Sequence, residues 1–504
     1  MTFKTLLLSV LLASLNFTNL YSQNKKISNV ASVQLRNMGA ILTDSEVSGY
    51  YMFYKTDKTS RKTYSYELQV LDQNLNNIST KSIEGPKSMV LLDGVYNNQG
   101  LMLKFYDLKE KEYTFRQYDK NANEISSTTK EISKIETMML EMYANKKEGS
   151  NTSLFPIQNV GFLNYSMKKN KKQGYKIDFY TSSDDTESWS FGSNENSKEV
   201  EFATHIFSNK NIIVSSVMKK KTMMTKQART SILALKSKTG EKLFDKEFTS
   251  PDYTLMVLGG FGEENSDRFY LYGNYFANGK NPFSNPSLGL FLYEVNMNGD
   301  IITEKFISWK DDVSKFLDVN EKGKLKNTGY VFFHKILRNA DGNIYFIGEQ
   351  YNKSYKGITT DLVVKDLMVF EFNKDFNLDN VNIINKQKTT NSAKGMALAS
   401  PQVIALVLKQ FGGFDYEFFQ SNADKSIFSF GYVDYVKVKG NPNKYVFGSV
   451  TYTDSEPVTD KLDLMTVKEK KKIKVLPAKI GNIVVVEYNE KEKSLDMRIE
   501  KINY

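Results

Sequence analysis

The run Gly289-Leu-Phe-Leu-Tyr-Glu-Val-Asn-Met-Asn298-Gly299-Asp-Ile-Ile-Thr-Glu-Lys-Phe-Ile-Ser-Trp309 decides how this chain is read. Two runs rich in β-branched and aromatic residues flank Asn298-Gly299. An Asn-Gly pair tolerates the positive φ angles of a tight turn, so the pattern predicts a β-hairpin closed by a two-residue type I′ turn. Weaker copies lie at Tyr66–Ile83, Tyr113–Ile132, Tyr175–Phe191, Ser231–Phe248, Met368–Ile384 and Ile483–Ile502, each turning on Asp, Asn, Lys, Ser or Gly. An apolar strand precedes most of them: Gly49–Thr56, Gly100–Asp107, Asn159–Met167, Asn211–Met218, Arg268–Phe276, Asn343–Tyr351 and Lys444–Thr453.

Some of these strands alternate, as in Tyr113-Thr-Phe-Arg-Gln-Tyr118, and predict a sheet with one wetter face. Others are continuous, as in Ile483-Val-Val-Val486, and predict strands covered on both faces. Turns recur about every 45 to 75 residues, near the length of a four-stranded propeller blade. A unit this small cannot bury its own faces, whereas radial packing buries both and leaves short edges. The expected fold is therefore all-β: a β-propeller of about seven four-stranded blades. An eighth unit is compressed between Phe411 and Thr453, and tandem β-sandwiches are the alternative. Two short helical insertions are expected. One is Asp311–Leu317. The other runs from Ser400-Pro401 to Phe411, with Ser as cap, Pro at the first helical position and Gly412-Gly413 as the stop. Ile132–Met142 fits a helix or the start of a strand.

Ser182-Ser-Asp-Asp-Thr-Glu-Ser-Trp189 resembles the Asp-box of sialidase-type propellers, with Thr186 in place of its Gly and Ser188 in place of its Thr. In that family the box is a structural hairpin on the blade rim, so the resemblance implies fold rather than chemistry. The Lys/Asn/Tyr-rich texture and the N-terminus resemble uncharacterised exported proteins of the Bacteroidota, a family of unknown function.

Within the 504 residues, 25% are charged and 40% hydrophobic, as in an ordinary globular protein, and 13% are aromatic, which favours strands. With no cysteine, disulfides and thiolate sites are excluded. Two histidines, His205 and His334, cannot build a three-histidine zinc site, and both sit in apolar runs expected to pack as strand residues. The net charge of +10 comes from lysine, with seven arginines, which argues against nucleic-acid reading. Lys4 and the apolar run Leu6–Leu15 predict a signal peptide over residues 1–22, cleaved after Ser22. The rest, 23–504, is expected to be one domain: exported, periplasmic or extracellular, soluble, not a lipoprotein, and without a membrane-spanning segment.

No catalytic set is recognised. Asp72-x-Asn74-x-Asn76 and Asp119-x-Asn121-x-Asn123 open like calcium loops, but Asn77, Ile83, Glu124 and Lys130 occupy the positions where an EF-hand needs Gly and Glu, so both read as Asx-rich turns. Gly273 to Asn281 misses the phosphate-loop spacing. Asp184, Asp185, Glu263, Glu264, Asp311 and Asp312 supply the carboxylates a glycan hydrolase would pair, and read as solvated loop acids. Three lysine clusters, Lys168–Lys172, Lys219–Lys221 and Lys468–Lys474, read as charged edges that prevent strand-to-strand aggregation. In one of them Lys219, Lys220 and Lys221 adjoin Met223 and Met224, mixing charge with adaptable apolar side chains. Those five residues are the candidate binding site, with no metal and no cofactor expected. The expected function is a secreted binding or interaction module of the cell envelope. Its partner would be a glycan, an anionic envelope component or a protein, not nucleic acid. The alternatives are a glycan-active hydrolase using Asp/Glu carboxylates and a structural envelope component.

Overall fold

The computed structural model describes residues 23–503 except 44, 135, 138–139, 141–152, 169–172, 183–186, 223–224, 226–227, 264–265, 357–358, 395–399, 411, 438–439, 441–442, 454–455 and 467–470. Its strands form eight antiparallel sheets, seven of four strands and one of five. Blades 1 to 7 span residues 38–86, 89–131, 154–192, 200–247, 253–308, 330–394 and 416–466. Blade 8 takes three strands from residues 471–501, and its outermost strand is Asn24–Ile27 from the other end of the chain, paired with Ser494–Lys501. The first strand of each of blades 1 to 7, and Lys471–Pro477 of blade 8, lies innermost.

Eight blades correct the expected seven. Lys444–Thr453 belongs to blade 7 and Ile483–Ile502 to blade 8, so reading them as one unit merged two blades. The extra blade includes the compressed region after Phe411.

The alternation along single strands shows why a ring forms. In Gly100–Asp107, Leu101, Leu103 and Phe105 pack towards blade 1, and Met102 and Tyr106 towards blade 3. In Asn482–Asn489, Ile483 and Val485 pack towards blade 7, and Val484 and Val486 towards blade 1. Among the described residues, eight clusters of buried side chains each bridge two neighbouring blades. Each sheet is covered on both faces, which excludes tandem sandwiches.

The opening hairpin is present, but its turn is not type I′. Only Gly299 has a positive φ (79°), and the register shifts between Glu294 and Val295, giving a longer turn with a bulge. Asn296 Oδ1 accepts the N–H groups of Asn298 and Asp300, both at 2.9 Å. The same construction recurs at Asp72, Asp119 and Asn373, with Leu75, Ala122 and Phe376 in the left-handed position. These three side chains are buried, so core packing offsets the backbone cost. The Asp72 and Asp119 carboxylates are thus occupied by their own turns. Partial burial opposes ionisation, but the Asn76 side-chain amide and the Asn76 and Asn74 N–H groups together hold Asp72 below its ordinary pKa.

The helix Pro401–Gln410 forms as expected, with Ser400 Oγ accepting from Val403 N at 3.4 Å and Gly412 at φ 63° ending it. The described residues of 134–140 are helical. Asp311–Leu317 shrinks to a single 3₁₀ turn, Val313–Lys315, anchored by buried Val313.

Candidate functional site

The loops that join successive blades all emerge at one end of the ring, the upper rim. There blade 6 departs from the others. Its second and third strands, Ile344–Lys356 and Thr359–Phe372, run on past Tyr351, the last residue paired with the inner strand Tyr330–Arg338. Thr389–Lys394 adds to this extension, and the helix Pro401–Gln410 packs on it through Ile404, Ala405 and Leu408 against Tyr351, Leu362, Val364 and Phe414. Extension and helix form a cap on the upper rim.

Buried charges fix the cap. Glu349 and Lys386 both have side chains with no exposed surface and meet at 3.1 Å, and Lys386 also bonds Asp415. Glu349 Oε2 accepts the N–H groups of Asp415 and Tyr416 at 3.1 and 3.2 Å. Burial raises the Glu349 pKa and lifts Asp415 to about 6, while Lys386 opposes both shifts. His334 Nε2 lies 3.3 Å from Glu349 Oε2, and its ring stacks on Tyr416 at 4.7 Å. Lys409 Nζ on the helix reaches His334 Nδ1 at 3.3 Å. Burial, with Lys409 and Lys386, keeps this histidine neutral. His205 is likewise packed, stacked on Phe155 at 4.0 Å and pushed down to about 3 by burial. Both histidines are therefore structural strand residues.

The cap helix also carries an exposed apolar side chain, Leu406. Leu406 forms part of a cleft of about 270 Å³ between blades 4 and 5. Phe202 and Ile206 of the inner strand of blade 4, Met218 of its second strand, Leu255 and Val257 of blade 5, and Phe283 of a blade 5 loop line it. The candidate lysines stand beside this cleft, because Met218 is followed directly by Lys219 and Lys220. Lys219 is neutralised by Asp245 at 3.0 Å. Lys220 holds its ammonium 5.3 Å from the centre of the Phe283 ring, and Lys221 is exposed. Neither pairs with a carboxylate among the described residues. Met223 and Met224 lie outside the described residues, and of the other three candidates only Lys220 meets a residue that lines the cleft, Phe283.

Of the other lysine clusters, the structure describes only part. Lys471 and Lys474 lie on Lys471–Pro477, the innermost strand of blade 8, and Lys474 Nζ binds the Leu35 and Met38 carbonyls at 3.1 and 2.9 Å. It ties blade 8 to blade 1. Lys168 bonds the Ser193 carbonyl, and 169–172 and 467–470 lie outside the described residues. So do Asp184, Asp185, Glu264 and residues 1–22, where a leader is expected. Trp189, which ends the Asp-box-like run, stacks on Phe179 at 5.3 Å in the outer part of blade 3.

A model of a family of unknown function, DUF6770, matches residues 1–503. The chain belongs to this family. No curated protein matches it. Among solved structures, it is similar to the WD40 domain of SCAP from fission yeast, at 9% identity and a TM-score of 0.37, covering 94% of this chain and 98% of that one. It is also similar to prolyl oligopeptidase B from Galerina marginata, at 7% identity and a TM-score of 0.42 over 92% of this chain. The DUF6770 chain spans 57% of that enzyme's length. A Synechocystis apocarotenoid oxygenase mutant gives 10% identity, a TM-score of 0.36 and coverage of 77% and 81%. No helix among the described residues is long and apolar enough to cross a membrane.

Proposed function

We propose that this DUF6770 protein is an exported binding module of the cell envelope, of Bacteroidota type, with residues 1–22 as leader and 23–504 as one domain. Its ligand is an anionic amphiphile: an apolar chain lies in the cleft between blades 4 and 5, and an anionic head meets Lys220 and Lys221. The observation that carries this reading is the cleft of about 270 Å³ with mostly apolar walls, where Lys220, which has no carboxylate partner among the described residues, sets its ammonium against the lining Phe283, with exposed Lys221 next in the chain. Ligand sites usually run from about 300 Å³ upward, so this one suits a single acyl chain and is too small for an oligosaccharide. Isothermal titration with palmitate tests it. The wild type binds. Met218→Trp, which fills the cleft, abolishes binding, and Lys220→Glu weakens it at least about tenfold, since one reversed charge near a partly desolvated rim is worth more than about 1.4 kcal/mol. Equal binding by all three proteins, or none by the wild type, contradicts the proposal.

One observation favours a second reading, glycan recognition. A polar groove of about 470 Å³ lies between blades 6 and 7, lined by Asp341, Asn343, Tyr345, Glu371 and Asn380. Glu371 already accepts the Asn382 amide at 2.6 Å, so it is positioned rather than free-swinging. Oligosaccharide binding that disappears in Glu371→Gln would support this reading, and turnover lost in the same variant would extend it to hydrolysis.

A further inference from the structure

A second cavity of about 270 Å³ lies at the opposite end of the ring. Leu42 of blade 1 and Phe261 of blade 5 both line it, and in an eight-membered ring these blades stand opposite each other. It therefore crosses the axis and is the lower mouth of the central channel. Three cationic side chains converge on it: Lys335 and Arg338 from the inner strand of blade 6, and Lys425 from a turn of blade 7. Among the described residues, Glu263 is the one carboxylate in the lining.

The cations are not paired with it. The neighbour of Lys335 Nζ is the Phe419 ring, 5.2 Å from its centre. Lys335 keeps exposed surface, yet crowding by the surrounding protein, and then the nearby Lys425, lowers its pKa. Arg338 is held open towards the cavity by donating to the Tyr270 hydroxyl at 2.8 Å and the Gly342 carbonyl at 3.2 Å. Asp424, beside Lys425, is turned away to its own loop, accepting from Ser426 N at 3.0 Å and Ser426 Oγ at 2.8 Å. Among the described residues no carboxylate pairs with Lys335 or Lys425. The charge of Lys425 thus acts unfavourably on Lys335 across the mouth. The enclosed lysines of the ring are all partnered: Lys104 meets Ser153 and Asn164, Lys386 meets two carboxylates, and Lys474 meets two carbonyls.

We infer that the lower channel mouth is a binding site for a phosphoryl oxyanion, held by Lys335, Lys425 and Arg338, with the hydroxyls of Ser45 and Ser421 in the same lining. The site is independent of the cleft between blades 4 and 5, because it lies at the other end of the channel.

The test is thermal unfolding of residues 23–504 in inorganic phosphate against sodium chloride of matched ionic strength. A parallel arm uses glycerol phosphate. Phosphate about 100-fold above its Kd raises Tm by about 2–3 °C. The Lys335→Met/Lys425→Met double variant melts higher than the wild type without phosphate, because the repulsion is gone, and does not respond to phosphate. The single variant Lys425→Met, at a partly exposed turn, shows the same loss of response, and phosphorus NMR line broadening reads binding directly. A shift with both anions assigns a phosphate ester as ligand, and a shift with inorganic phosphate alone assigns the free ion. No phosphate-specific shift in the wild type, or the same shift in the double variant, overturns the site.

Discussion

Replacing Lys386 by Met leaves two buried carboxylates, Glu349 and Asp415, without their shared cation. Removing one partner of a buried pair costs about 3–5 kcal/mol, because the remaining charge is stranded. An unfolding entropy of about 2.1 cal/mol/K per residue over about 480 residues gives about 1 kcal/mol per degree, so Tm falls by about 3–5 °C at pH 7.5. The loss depends on pH. In the wild type, burial already lifts Asp415 to about 6 from 3.8, a raised carboxylate whose contribution is present below pH 3.8 and is lost as pH climbs through 6. Without Lys386 both carboxylates shift further up and are protonated near neutrality. The difference between variant and wild type therefore shrinks as pH falls from 7.5 to 5. Calorimetry across that range checks it. A penalty independent of pH, or none, would refute the view that this network anchors the cap.

Three other outcomes follow from the same structure. Deleting Asn24–Ile27 removes the fourth strand of blade 8 and uncovers Leu495 and Met497, so limited proteolysis should cut near 494–501 and Tm should drop; an unchanged digest would deny ring closure by this strand. Leu75→Gly relieves a left-handed backbone cost of about 1–2 kcal/mol but removes a buried side chain worth about 1.5–3 kcal/mol, so denaturant unfolding should show a small net loss and not a gain. Burial lowers Lys104 to about 8, so the unfolded state binds more protons between about pH 8 and 10 and stability rises with pH there; Lys104→Met should flatten that rise.

The ring itself was legible wherever a blade's strands are contiguous in the chain. Continuous apolar strands such as Ile483-Val-Val-Val486 reported two buried faces, and Ser400-Pro401 with Gly412-Gly413 bounded the cap helix. Blade 8 escaped because its closing strand, Asn24–Ile27, lies at the other end of the chain, so no local spacing announces it. The type I′ reading failed because Asn296 supplies its own side-chain acceptor to the turn, making a longer loop competitive. At the site, the lysine cluster was visible, but the cleft beside Lys220 was not. Its walls come from two blades and from Leu406, which sits far along the sequence on a helix that only tertiary packing brings there. The cap network was equally hidden: Asp415 is 66 residues from Glu349 and 29 from Lys386.

The most direct measurement is photo-crosslinking with a palmitate analogue carrying a diazirine at the chain end, mapped by mass spectrometry. The account predicts adducts on Met218, Phe283 and Leu406, around the cleft between blades 4 and 5, all lost in Met218→Trp. Adducts at the lower channel mouth or scattered over the surface, unchanged in that variant, would contradict it.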